Sequence, residues 1–284
     1  MISKRFEYHT PHSVEQAVGL LAEKNGEAVV LGGGTWVVPD MTHGTITPGH
    51  VVDLRRAGLD GIEAEAGGLR IGATATYTQI LESELVRERA PALHALAVGI
   101  TGGAQLRNQA TMGGGVCYAL PSADPHGALV ALGARYRLAS KGGVREVDAE
   151  SFYTGVQQSV LQPGELLTDI IVPEQPAGSR QGYYKFKLCE SSWPIVTACA
   201  VVVVDGSGTV TSARVAVGGA SETPYLVDTA GIVGATLGPE QAAVVAAAAE
   251  AACARPYGDP LASGEYRKMI AGAIAKRALL AAAG

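Results

Sequence analysis

The stretch VVLGGGTWVVPD, Val29 to Asp40, places three consecutive glycines between an apolar run and a Trp-Val-Val-Pro segment. Adjacent glycines lose more conformational entropy on folding than other residues, so they are kept where φ is positive or where another group approaches the main chain closely. Two readings follow. The glycines form an awkward turn between elements, or they bare the backbone for a ligand.

The flanking chain is patterned as short strands and helices. Ser13 and Gln16 stand at capping-box spacing ahead of Val14, Ala17, Val18, Leu20 and Leu21, which share a helical face, and Gly26 ends that helix. Ala28 to Leu31 and HVVDL read as buried strands, so residues 1–57 form a first α/β unit. Residues 58–175 form a second. It holds a strand in GGLRIGATATYTQI, a helix with Thr76 and Gln79 at cap spacing that runs through LESELVRERAPAL, and a glycine-rich tract from Ile100 to Gly115. Asp124 follows as an N-cap with Pro125 in the first helical turn, where a missing N–H costs little, and GELLTDIIVP supplies a strand ending at Pro173. The polar segment EQPAGSRQG marks a boundary. Beyond it, residues 176–284 read as an α+β unit: strand-rich runs with a hairpin at Asp205–Gly208, then helices over Ala242–Ala254 and Gly264–Ala283.

Composition narrows the function classes. The 284 residues are 47% hydrophobic and 17% charged, as expected of an ordinary globular chain, and the net charge of -5 argues against a nucleic-acid surface. The N-terminus lacks the apolar core of a signal peptide, and the longest apolar run, PIVTACAVVVV, is too short for a helical membrane span, so a cytoplasmic protein is expected. Cys117, Cys189, Cys199 and Cys253 show no C-x-x-C spacing, and the six histidines contain no H-E-x-x-H pair. The chain is therefore expected to carry neither iron-sulfur nor zinc ligands. Val37 stands where a dinucleotide fingerprint starting at Gly32 needs glycine, SKGGV has the wrong order for a phosphate loop, and Thr223 breaks the nucleophile elbow in GASET.

What survives is a pair of glycine tracts, LGGGTW and, about eighty residues later, GGAQLRNQATMGGGVCYALPSADPHGALVALGA. Successive amides in such turns form concave nests for anions, and the hydroxyls of Thr35 and Thr111 add uncharged donors. Two nests can hold two phosphates. A helix start near Asp124 can serve a ribityl or ribose hydroxyl as well.

AVVLGGGTWVVPDM, QLRNQATMGGGVCYALPSADPHGALVALGA and LQPGELLTDIIVP, in this order and spacing, resemble the FAD-binding medium subunit of molybdenum-containing hydroxylases, the relatives of carbon monoxide dehydrogenase and xanthine dehydrogenase. The resemblance spans nearly the whole chain. It implies an α+β fold, with a two-subdomain FAD-binding domain of the vanillyl-alcohol oxidase / p-cresol methylhydroxylase type followed by a C-terminal α+β domain of antiparallel sheet and helices. It also implies that Gly32, Gly33, Gly34 and Thr35 form one pyrophosphate loop and Thr111, Met112, Gly113 and Gly114 the other. Asn108 would orient the second loop, Asp124 would bind a ribityl or ribose hydroxyl, and Leu166 would lie near the isoalloxazine. Leu31, Trp36 and Ser122 complete the expected cofactor-binding set. Trp193 stands where some relatives bring a Tyr over the flavin, and Lys185 matches a Lys suited to stabilising anionic reduced flavin. Core packing is the plain alternative for Leu166 and a packing role that for Trp193, while helix capping and a solvated strand lysine are those for Asp124 and Lys185.

The sequence also departs from the pattern. Thr35-Trp36 replaces a His-Ser found in some relatives, Gly115 stands where Asn is common, and Leu188 replaces a basic residue. The implied function is electron transfer through noncovalent FAD, with no catalytic residue or metal ligand of the chain's own. A small iron-sulfur subunit and a large subunit with the molybdenum cofactor are the implied partners, in a dimer of heterotrimers. The rivals are a free-standing FAD oxidase of the same fold and a non-redox nucleotide-binding protein.

Overall fold

The computed structural model describes Ile2 and residues 4–283. Its first sheet is parallel: β1 (Glu7–His9), β2 (Ala28–Leu31) and β3 (His50–Asp53) lie in the order β1-β3-β2. Helix α1 (Val14–Lys24) packs Ala17, Val18 and Leu21 into a small core with Val52 and Leu54. Ser13 Oγ accepts the Gln16 amide at 3.2 Å, as the spacing predicts, but the Gln16 side chain reaches back to the His12 amide rather than to that of Ser13. The helix ends one residue earlier than expected, at Asn25 in the left-handed region with φ 42°. Asn tolerates that conformation because its short polar side chain hydrogen-bonds locally.

The second sheet is antiparallel, in the order β4-β5-β10-β6-β7. Its strands are β4 (Ile62–Glu65), β5 (Gly68–Gly72), β6 (Arg135–Ser140), β7 (Gly143–Asp148) and β10 (Leu166–Pro173), with a small ladder of β8 (Tyr153–Gly155) and β9 (Gln158–Ser159) between β7 and β10. The single helix expected after Thr76 is three helices: α3 (Tyr77–Glu82), α4 (Glu84–Arg89) and α5 (Pro91–Val98). Thr76 and Gln79 form the full capping box. Ser83 then turns extended and caps α4 by accepting the Val86 amide, and Pro91, lacking an N–H, starts α5. Between Ile100 and Leu132 lie α6 (Gly103–Arg107), α7 (Met112–Tyr118) and α8 (Pro125–Ala131), followed after β7 by α9 (Ala149–Phe152).

The third sheet is antiparallel, β11 (Ser179–Lys187), β12 (Pro194–Val204), β13 (Val210–Gly218) and β14 (Tyr225–Val227) in sequence order. The β12 run is apolar throughout because both of its faces are covered. Cys199 and Val201 enter the core of the second sheet's helices, while Ala198, Ala200 and Val202 face α10 (Pro239–Ala252) and α11 (Gly264–Ala283). The turn after β12 is held by Asp205, whose carboxylate accepts the Ser207 and Thr209 amides. Among the described residues, no helix is long and apolar enough to cross a membrane.

Candidate functional site

A cleft of about 430 Å³ opens where loops from the three sheets meet, within the size range of small-molecule sites. Strand β2 delivers Gly32 to Trp36 to it. The second tract contributes Thr111, Gly113 and Gly114, the loop before α8 contributes Ser122 and Asp124, and β10 contributes Leu166. The third sheet adds Trp193, just before β12. The two tracts that the sequence sets far apart thus form one wall.

The glycines serve contact between the tracts as well as the cleft. A Cβ on Gly33 would fall 1.7 Å from the Gln109 carbonyl oxygen, and one on Gly32 or Gly114 would fall 2.8 Å from Thr111 Oγ1. Gly34 has φ 74°, a left-handed conformation that L side chains seldom adopt. The glycines thus make a left-handed turn, and the group that approaches Gly33 most closely is the main chain of the second tract. Past Gly34 the chain does not continue as a loop but winds into α2 (Val37–His43).

The amides of the two tracts differ in what remains available. Met112 and Gly113 donate to the Ala75 and Ala73 carbonyls at 2.9 Å each, Gly114 donates to Thr111 Oγ1 at 3.1 Å, and Gly115 donates to the Thr111 carbonyl at 3.1 Å. The second tract is thus largely spent on joining α7 to the chain before α3. No acceptor among the described residues engages the amides from Gly32 to Val37. These half-buried donors line the cleft, and half-buried amides need partners. Ser122 Oγ, buried on the same cleft, likewise has no hydrogen-bond partner.

Not every expected residue reaches the cleft. Met112 is wholly buried, and Asn108 accepts from the Thr78 hydroxyl at 2.5 Å, away from the lining. Leu31 packs beneath Gly34 rather than lining the space. Lys185 also lies behind the wall. Its ammonium is 2.7 Å from Asp124 Oδ1 and donates to the Gly99 carbonyl and Thr101 Oγ1. It is neither a solvated lysine nor open to the cleft. Asp124 makes no side-chain cap to α8; its carboxylate takes Lys185 and the Tyr183 hydroxyl instead. Burial raises the Asp124 pKa, and the neighbouring Lys185 ammonium opposes that rise.

Aromatic residues close one side. The Trp36 ring stacks on Tyr118 at 4.4 Å and 12°, and its centroid lies 4.7 Å from that of Trp193. Tyr118 donates to Asp40 at 3.0 Å, and burial with that bond pushes its pKa up to about 12. The Trp193 loop is anchored where the Thr101 hydroxyl donates to the Ser192 carbonyl at 2.7 Å. Tyr77, Thr101, Cys117 and Tyr118 also line the cleft, none of them expected from sequence. Cys117 and Tyr118 fall directly after the second tract, and that proximity was the available signal. Burial lifts the Cys117 thiol to about 12, so it is protonated and weakly nucleophilic at neutral pH.

Residues 4–175 match the family described as the FAD binding domain in molybdopterin dehydrogenase, and residues 181–282 match the CO dehydrogenase flavoprotein C-terminal domain. The chain belongs to this flavoprotein family. It is 32% identical to the carbon monoxide dehydrogenase medium chain of Hydrogenophaga pseudoflava over 99% of this chain and 98% of that one. It is 35% identical to a xanthine dehydrogenase FAD-binding subunit of Escherichia coli over 76% of this chain and 75% of the relative. Its structure superposes with a TM-score of 0.94 on a chain of the reconstituted CO dehydrogenase from Oligotropha carboxidovorans, at 33% identity and 99% coverage of each. The α+β flavoprotein fold, the oxidoreductase class and FAD as cofactor follow from this membership. The cleft's own features fit FAD: free amides at a glycine-bared turn suit a pyrophosphate, an unpartnered hydroxyl and a carboxylate suit a polyol, and indole and aliphatic walls suit a flat ring.

Proposed function

We propose that this chain is the electron-relay subunit of a multisubunit molybdenum hydroxylase, taking electrons from iron-sulfur clusters of a small partner subunit and passing them to an external acceptor. The large partner carries the molybdenum cofactor and oxidises the substrate, and the assembly is a dimer of heterotrimers in the cytoplasm. Within the chain, residues 1–57 and 58–175 act as the two halves of the cofactor clamp, and 176–284 close it. Bound FAD supplies a store that fills by single electrons and empties to the acceptor.

The chain's own residues hold and shield that store. Gly32, Gly33, Gly34 and Thr35 would offer amides and a hydroxyl to the pyrophosphate, while Thr111 Oγ1 accepts the Gly114 amide within the facing tract. Among the described residues the cleft lining holds no Lys or Arg, so dipoles rather than cations would meet the phosphate charge. Ser122 and Asp124 would hold the ribityl or ribose hydroxyls. Lys185 acts through Asp124 as a positioning residue. Leu166 and Trp193 would hold the isoalloxazine between them, and the packed Trp36 and Tyr118 rings would shield that side of the cleft from water.

The observation that carries this reading is the row of unengaged amides at Gly32–Val37 in the same cleft as the unpartnered Ser122 hydroxyl. The test is to purify the chain alone and with its co-purifying partners, record visible spectra and identify released cofactor. A flavin spectrum on the chain, with iron and molybdenum in the complex, is expected. A chain that stays colourless after incubation with FAD overturns the reading, and turnover of an organic substrate by the chain alone favours a free-standing oxidase. Ser122→Ala should weaken FAD binding about five- to tenfold, the worth of one hydrogen bond of about 1 kcal/mol.

A further inference from the structure

Away from the cleft, three metal-competent side chains converge on the first sheet. Glu7 and His9 are two residues apart on β1 and share a face, and Glu7 pairs in register with His50 on β3. All three side chains therefore project to the same side, while Tyr8 turns to the other and bonds Asp53. His9 Nε2 lies 3.2 Å from His50 Nδ1, and Glu7 Oε2 lies 3.2 Å from His50 Nδ1 and 3.7 Å from His9 Nε2. None of the three lines the cleft.

We propose that Glu7, His9 and His50 form a divalent transition-metal site that ties β1 to β3, with zinc the ion that suits it best. A tetrahedral ion with ligands at about 2.0–2.1 Å sets its donor atoms about 3.3–3.4 Å apart. The three separations here bracket that spacing. Two imidazole nitrogens and one carboxylate oxygen are a borderline donor set, which favours zinc-like ions over magnesium or calcium. The two histidines are largely buried and Glu7 is exposed, so a fourth position toward solvent is left for water. The ligand backbones are fixed beforehand: the Glu7 amide donates to the Gly49 carbonyl at 2.9 Å and the His50 amide to the Glu27 carbonyl at 3.2 Å. Motif spacing gives no sign of such a site, because parallel pairing brings together ligands 41 residues apart.

The experiment uses the full chain without a tag, treated with chelator and titrated with Zn²⁺ by calorimetry and with Co²⁺ by difference absorption. One equivalent of each is expected, with a tetrahedral Co²⁺ spectrum and a higher Tm. His9→Gln and His50→Gln should each weaken binding by at least about a hundredfold, beyond the loss typical of an outer-shell partner, while His94→Gln and Cys189→Ser leave it unchanged. Because the largely buried histidine variants could unfold, two measurements avoid them. The exposed Glu7→Gln should weaken binding without lowering the Tm of the metal-free chain. In the wild type, Zn²⁺ should protect His9 and His50 from carbethoxylation by diethyl pyrocarbonate, mapped by mass spectrometry. Absence of Zn²⁺ binding, absence of protection, or binding that survives the folded double variant His9→Gln/His50→Gln overturns the site and leaves a plain hydrogen-bonded pair of imidazoles.

Discussion

At Gly33 a single hydrogen atom decides whether the two tracts can touch. A methyl there would overlap the Gln109 carbonyl, so Gly33→Ala should lower Tm as well as abolish FAD retention, measured by scanning calorimetry and flavin absorbance. Loss of FAD with an unchanged Tm would mean that Gly33 serves the ligand alone. Lys185→Met leaves the Asp124 carboxylate buried without its cation, a defect of about 3 kcal/mol at neutral pH. The sign with pH follows from the raised carboxyl pKa: the neutral acid costs less to bury, so the variant's deficit should shrink as the pH falls through that pKa. Urea unfolding at several pH values checks this. His126 works in the other direction. It is buried against the Gly115 carbonyl at 3.0 Å, and burial lowers its pKa from 6.5 to about 4. Between those values the unfolded chain binds more protons, so stability is fully present above about pH 6.5 and is lost as the pH falls toward 4, by about 3 kcal/mol in all. His126→Gln should flatten that slope.

Helix caps and strand pairing show where local chemistry suffices. Thr76 and Gln79 close a capping box in which each group lies within three residues of its partner, and the sequence spacing announces it. Thr76→Ala should cost about 1 kcal/mol of stability, read from the urea midpoint; no change would mean that α3 is held by packing alone. The break into α3, α4 and α5 was legible too, because Ser83 and Pro91 are stop and start signals, but apolar periodicity continued across them and masked the turns. The β12 run shows the limit of periodicity. Burial on both faces erases alternation, so the sequence marks a strand without telling which residues meet α11 and which meet the second sheet's helices.

The cleft belongs to the whole molecule, since its lining comes from all three sheets. Among the described residues Trp193, just before β12, is the one that lines it from the third unit, and it meets Trp36, which follows β2. Trp193→Ala should therefore open the mouth, speeding FAD release and altering the bound-flavin spectrum in stopped-flow and absorbance measurements. Unchanged rates and spectrum would confine Trp193 to packing between units. The sequence by itself determined the short strands, the Thr76 capping box and the two glycine tracts, because each depends on residues within a few positions of one another, and the order and spacing of those motifs along the chain pointed to the flavoprotein family. Only the tertiary structure decided that the second tract's amides are consumed while the first's stay free, that Asp124 answers Lys185 rather than its own helix, and that His9 meets His50. Which polar groups remain available in a folded chain depends on partners from distant segments, and those are assigned only when sheets pair and pack.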